Sequence, residues 1–244
     1  MKKTVMIAVV MNLFFIGSYA QGINGILNKA KSSLPGTGSN SGTGLSNTDI
    51  VSGLKDALRV GADSSVKRVS KVDGFFGNAA IKILMPPEAQ KVEKTLRSMG
   101  MGSMVDKAIL SMNRAAEDAS KGVGDIFWNS IKGMSITDGV GILKGSDTAA
   151  TSYLRKNTSS QLTVKFRPTI DSSLKKVDAT KYWNDVFSNY NKLPFVKKVN
   201  PDLVGYVTDK ALSGLFYNIA LEEQKIRKDP AAQVTDILKK VFGK

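Results

Sequence analysis

The stretch Asp202 to Arg227, DLVGYVTDKALSGLFYNIALEEQKIR, reads as one long helix near the C-terminus, and its reading decides the fold. At about 100° per residue, Ile219, Phe216, Leu215 and Thr208 fall within about 60° of Leu212. Val204 and Ala220 extend that face, while Leu203, Val207 and Leu221 lie on the opposite side. A helix apolar on nearly every side is enclosed by other protein or by lipid. Its uncharged run after Lys210, Ala211 to Leu221, is too short for the ~20 residues that cross a bilayer. Other helices of the chain are therefore expected to wrap it. Asp209, Glu223 and Arg227 project onto the same broad face as Leu212. Each needs a partner there, because an unpaired buried ion costs several kcal/mol or changes its protonation.

Working back from this hub, the punctuation is that of an all-α domain of about nine or ten helices, spanning residues 48–244. Thr48 and Asp49 are placed to cap a helix to about Ser70, with Ile50, Leu54, Leu58 and Ala62 on one face. Asp73 to Asn78 is a turn whose Phe75 and Phe76 are expected to plug the core, and Ile81-Lys82-Ile83 alternates like a short extended piece. Pro86-Pro87 opens a helix that Gly100 stops. Val105 to Ser120 carries a buried stripe of Val105, Ala108, Ile109, Met112, Ala116 and Ala119. Short helices follow at Asp125 to Gly133 and Thr137 to Leu143. Asp147 is expected to cap one helix through Arg155, and Thr158-Ser159-Ser160-Gln161 to form a capping box opening another, which Pro168 kinks or divides. Asp178 to Asn191 is an aromatic amphipathic helix, and Asp229-Pro230 opens the last one.

The N-terminus has a different character. Lys2 and Lys3 precede an apolar run from Val5 to Ile16, and Ser18-Tyr19-Ala20 supplies small residues at the −3 and −1 positions. Residues 1–20 read as a secretory signal peptide cut between Ala20 and Gln21, with an uncleaved anchor as the alternative. Residues 21–47, containing SSLPGTGSNSGTGLSN, read as a flexible linker. The chain has 35 Lys and Arg against 21 Asp and Glu, a net charge of +14. Its basic pairs, Lys67-Arg68, Lys175-Lys176, Lys197-Lys198 and Lys239-Lys240, are scattered over separate segments. Solvated helix faces account for them, and docking on anionic envelope material is the sharper reading. Nucleic acid is not expected as a partner, because no aromatic interleaving or recognised module accompanies the charge.

Several strings together carry a resemblance. They are DGFFGNAAIKI (Asp73 to Ile83), SMNRAAEDA (Ser111 to Ala119), ILKGSDTAATSYLRKNT (Ile142 to Thr158), TKYWNDVFSNYNKLP (Thr180 to Pro194), YVTDKALSGLF (Tyr206 to Phe216) and LKKVFG (Leu238 to Gly243). In this order they resemble the bacterial family labelled Domain of Unknown Function 4197, from about Asp49 to the end. The resemblance implies exported or envelope-associated proteins and brings no activity to carry over.

The chain has no His and no Cys. Ser-His-Asp and Cys-His nucleophilic sites, Cys/His zinc sites, haem ligation by His and iron–sulfur ligation are thereby excluded, and no cofactor or metal is expected. Gly139 to Gly145 matches neither phosphate-loop spacing and reads as a short helix with a Gly stop. Carboxylate chemistry remains. A hydrolase acting on envelope polymer needs two acids facing across a cleft; Glu222 and Glu223 point about 100° apart, so Glu117 or Asp138 would have to supply the second. The favoured site is instead a polar network drawn from Asn113, Glu117, Arg155, Asp209 and Glu223, in which Asn113 and Glu117 flank the apolar stripe of their helix, Arg114 lies roughly opposite that stripe, and Arg155 and Arg167 sit near helix ends. Its structural version is an ion-pair lock; its functional version is a pocket for an anionic or amphipathic ligand. The expected role is a non-catalytic binding or structural module of the periplasm or envelope. Alternatives are the hydrolase or a lipid-binding protein with a closed apolar cavity of ~300 Å³ or more.

Overall fold

The computed structural model describes residues 46–180 and 202–229, together with Trp183, Asn191, Lys192, Lys198, Gln233 and Lys239. The signal segment with its Ala20–Gln21 cut, the linker up to residue 45, most of the expected Asp178 to Asn191 helix and the expected last helix lie outside the described residues. Among the described residues there are seven α-helices and no strand, so the nine or ten expected are not matched. They are α1 (Asn47–Val69), α2 (Gln90–Ser98), α3 (Gly102–Ala119), α4 (Gly124–Lys132), α5 (Ile136–Lys144), α6 (Ala149–Lys175) and α7 (Leu203–Lys228). A single 3₁₀ turn, Pro87–Ala89, precedes α2.

Helices α1, α5 and α7 start on local side-chain caps, and two expected boundaries are corrected here. Helix α1 is capped by Ser46, not Thr48: its hydroxyl accepts from the Asp49 N–H at 3.2 Å, and the Asp49 carboxylate accepts from the Ser46 N–H and O–H. Asp49 thus completes a capping box at the third helical position. The second correction is larger. The two helices expected between Asp147 and Ile170 are one continuous helix, α6. The Thr158 hydroxyl donates to the Leu154 carbonyl at 2.7 Å and Ser159 donates to Arg155 at 2.6 Å. Hydroxyls bonded back to the preceding turn cannot cap a new one. Pro168 removes one N–H from α6, yet it and Val164, whose carbonyl loses that partner, are both exposed, so the position is open to solvent and the helix runs on through it.

Helix α7 packs against α6, α1 and α3, and α6 packs in turn against α3, α4 and α5. The hub expected at α7 is therefore shared with α6. Leu203, Val207, Ala211, Leu215 and Phe216 of α7 are fully buried or nearly so. The enclosure is incomplete: Asp209, Lys210, Ser213 and Tyr217 form an exposed strip. Phe75 is fully buried, and a Cβ built on Gly214 of α7 would lie 2.6 Å from its ring. Only glycine allows that plug to seat on the helix. Phe127 meets Phe216 edge to face at 6.0 Å and 87°. No described helix is long and apolar enough to cross a membrane.

Tyr206 fastens the start of α7 to the irregular segment before Pro86, donating its O–H to the Leu84 carbonyl at 2.8 Å. Burial, with a smaller contribution from the negative charge of Glu88, pushes its phenol up to about 12 from the ordinary 10.0. The raised value means that Tyr206 supports the fold fully below about pH 10 and stops doing so as pH climbs through about 12, because the unfolded chain releases the proton first. Stability measured by urea unfolding is expected to fall across that window, and Tyr206→Phe to flatten the slope. An unchanged slope would remove Tyr206 from this role.

Candidate functional site

Two separate clusters are each built on one buried carboxylate, Glu117 in one and Glu223 in the other. The first is on α3. Asn113 and Glu117, four residues apart, are 0% and 3% exposed. Asn113 accepts from the Ile83 N–H at 2.9 Å and donates to the Ile83 carbonyl at 2.8 Å and to Ile109 at 2.7 Å. It therefore pairs with the segment at Ile83 as a neighbouring strand would. One oxygen of Glu117 accepts from the N–H groups of Phe75 and Phe76 at 3.0 and 3.2 Å. The other accepts from Arg114 at 2.6 Å, and Arg114 reaches Asp73 at 2.8 Å with its other amino group. These hydrogen bonds, to Glu117 first and Asp73 second, hold the guanidinium above its ordinary range and fully charged. Arg114 is half-buried in this cluster. An i, i+3 step on a helix places it beside Glu117.

The second cluster is where α5 ends, α6 begins and α7 passes. Glu223 is 6% exposed. Its carboxylate accepts from the N–H groups of Ala150 and Thr151 at 2.9 and 2.8 Å and from the Thr151 hydroxyl at 2.8 Å. It thus caps α6 from a distant helix, in the place assigned to Asp147. Asp147 instead pairs with Lys228 at 2.5 Å, and that bond holds its carboxyl below the usual range. Arg227 donates to Glu223 at 2.9 and 3.1 Å and to the carbonyls of Ile142 and Leu143 at 2.8 and 3.4 Å. The anion sits at the positive end of α6 and the cation at the negative end of α5, so both helix dipoles favour the pair.

The remaining candidates separate from these clusters. Arg155 is exposed, with its guanidinium 4.5 Å from the centre of the Phe216 ring. Asp209 is exposed, contrary to expectation. It lies about 60° from Leu212, at the border between the buried arc and the strip carrying Ser213 and Tyr217, so a small rotation of the arc turns it to solvent. Arg167 pairs with Asp202 at 3.1 Å, and Asp202 caps α7 through the Gly205 N–H at 2.8 Å. The partners of the two clusters, Arg114, Asp73, Thr151 and Arg227, were not among the site candidates. The i, i+3 step from Arg114 to Glu117 and the i, i+4 step from Glu223 to Arg227 are the sequence signals that point to two of them.

The other acids considered for cleavage chemistry have partners as well. Asp138 caps α5 in a box with Ser135, whose hydroxyl and N–H hold its carboxyl low. Glu222 pairs with Arg68 of α1. An open depression of about 460 Å³ is lined by Asp118, Pro168, Thr169, Ser172, Ser173 and Lys176, a polar set remote in kind from an apolar lipid cavity. Among the described residues, no cluster of His, Cys, Asp or Glu could hold a metal ion.

No curated protein and no solved structure matches the chain. A family match does cover residues 44–243, taking in every described helix and both buried clusters. The chain belongs to the family described as Protein of unknown function (DUF4197).

Proposed function

We propose that this chain is an exported helical module of the periplasm or cell envelope that acts by binding or as a structural part, without catalysis. The observation that carries the reading is the state of its carboxylates. Glu117 holds the Phe75 turn, Asp138 and Glu223 cap helices, and Glu222 pairs with Arg68. A glycan-cleaving pair needs two acids free to act across a cleft. These four are occupied in holding the fold. The pairs Lys67-Arg68 and Lys175-Lys176 fit solvated faces, since all four residues are exposed and Arg68 and Lys175 have acidic partners in Glu222 and Asp171. Anionic envelope components remain the partner class favoured by the net charge of +14.

Expression of the full chain in a bacterial host tests both halves of the reading. The periplasmic fraction is expected to contain a protein whose intact mass starts at Gln21. Recovery of the uncut chain in the cytosol would overturn export. Release of soluble fragments from isolated envelope polymer, lost in Glu117→Gln or Glu222→Gln, would overturn the non-catalytic half.

A further inference from the structure

The six described methionines divide sharply. Met85, Met112 and Met134 are 8%, 1% and 3% exposed and belong to the core. Met99, Met101 and Met104 are 62%, 38% and 61% exposed. These three fall within six residues, M-G-M-G-S-M, at the junction of α2 and α3. Unbranched thioether side chains are normally used to fill irregular gaps in a core. Three of them clustered in solvent have no such role.

The junction holds their backbone in one arrangement. The Met101 N–H bonds the Leu96 carbonyl at 2.8 Å, and the Met104 N–H bonds the Met101 carbonyl at 3.0 Å. Gly100 takes a φ of +81°, and a side chain there would meet nothing within 4 Å, so the space between Met99 and Met101 is open. Arg97 braces the two helices, bonding Glu93 at 3.0 Å and Asp106 at 2.8 Å. Met101 and Met104 stand about one helical turn apart, and Met99 is two residues before Met101. Each side chain has three rotatable bonds with which to bring its sulfur inward.

We propose that Met99, Met101 and Met104 form a three-thioether site for a soft monovalent cation, Cu(I). Neutral sulfur donors select Cu(I) over the hard divalent ions, which take oxygen. The lack of Cys and His, which excludes the usual zinc sites, leaves thioethers as the chain's soft donors. The site needs no change of oxidation state; it holds the ion as supplied. It is independent of the reading under Proposed function, since it concerns the purified chain.

The test uses Ag(I), a closed-shell probe of the same softness, and then Cu(I) against a colorimetric chelator under reducing conditions. Titration of methyl-labelled methionines with Ag(I) is expected to move the Met99, Met101 and Met104 resonances together, saturating at one equivalent, with Met85, Met112 and Met134 still. The M99L/M101L/M104L variant keeps apolar volume at exposed positions and removes only the sulfur. It is expected to withdraw Cu(I) from the chelator about tenfold less well or worse, the scale on which even outer contacts of a metal site act. Shifts that never saturate, or equal Cu(I) withdrawal by the leucine variant, would overturn the site. So would a binding partner retained equally by both proteins without metal, which would make the patch an apolar docking surface.

Discussion

Glu223→Ala is expected to destabilise the fold by about 3–5 kcal/mol, the usual cost of removing one member of a buried, hydrogen-bonded ion pair. For a chain of this size that corresponds to a fall of roughly 10 °C in the thermal midpoint. Three losses coincide in this substitution. The N–H groups of Ala150 and Thr151 lose their acceptor, the Thr151 hydroxyl loses its own, and Arg227, with a side chain only 9% exposed, keeps its charge without the anion. Glu223→Gln retains one acceptor oxygen but turns an NH₂ toward donors, so a smaller loss is expected. Arg227→Ala tests the clamp from the other side by uncapping the Ile142 and Leu143 carbonyls. The double variant E223A/R227A is expected to lose less than the sum of the singles, because no buried charge is then orphaned. Additive losses, or a cost below about 1 kcal/mol for Glu223→Ala, would mean that the pair does not lock α5, α6 and α7 together.

How far the sequence leads depends on whether a signal is local. The buried arc of α7 and the stripe of α3 were legible, because helical spacing fixes which residues share a face. So was the inward direction of Glu223, which has Ile219, Ala220 and Ile226 at helical intervals, whereas Glu117 was legible only as bordering the apolar stripe of α3. What each acid holds was not legible. Glu223 bonds residues 72 and 73 positions away in sequence, and Glu117 bonds residues 41 and 42 away. No local spacing encodes such a partner. The misplaced boundary at Thr158 has the same root: a Thr-Ser-Ser-Gln string caps a helix only if the chain breaks there, and tertiary burial of Thr158 at 1% exposure kept α6 running. Asp209 fails for the opposite reason. A projection gives an angle from Leu212, but the width of the covered arc is set by how many helices pack around α7.

Glu117→Ala is expected to act locally before it acts globally. Its carboxylate is the acceptor for two consecutive N–H groups, those of Phe75 and Phe76, in a turn where Asp73 takes a φ of +64°. A non-glycine residue in that region costs about 1 kcal/mol, which surrounding bonds must hold in place. Arg114 supplies one such bond to Asp73, and Glu117 fixes Arg114. Removing Glu117 therefore frees the turn from both sides and leaves one buried donor, the Phe75 N–H, and one part-buried donor, the Phe76 N–H, without their acceptor, the buried one at a cost of about 1–3 kcal/mol. Hydrogen exchange is expected to rise first at the Phe75 and Phe76 amides, while Ile83, held by Asn113 at 2.9 Å, stays protected. Asn113→Ala should reverse that order. Because the Phe75 ring rests on Gly214, a loosened turn next exposes the middle of α7, so the total loss is expected to reach about 3 kcal/mol with the aromatic plug still present. If the Phe75 and Phe76 amides exchange no faster in the variant while overall stability falls, Glu117 serves the packing of α3 alone and the turn is held by its aromatic rings.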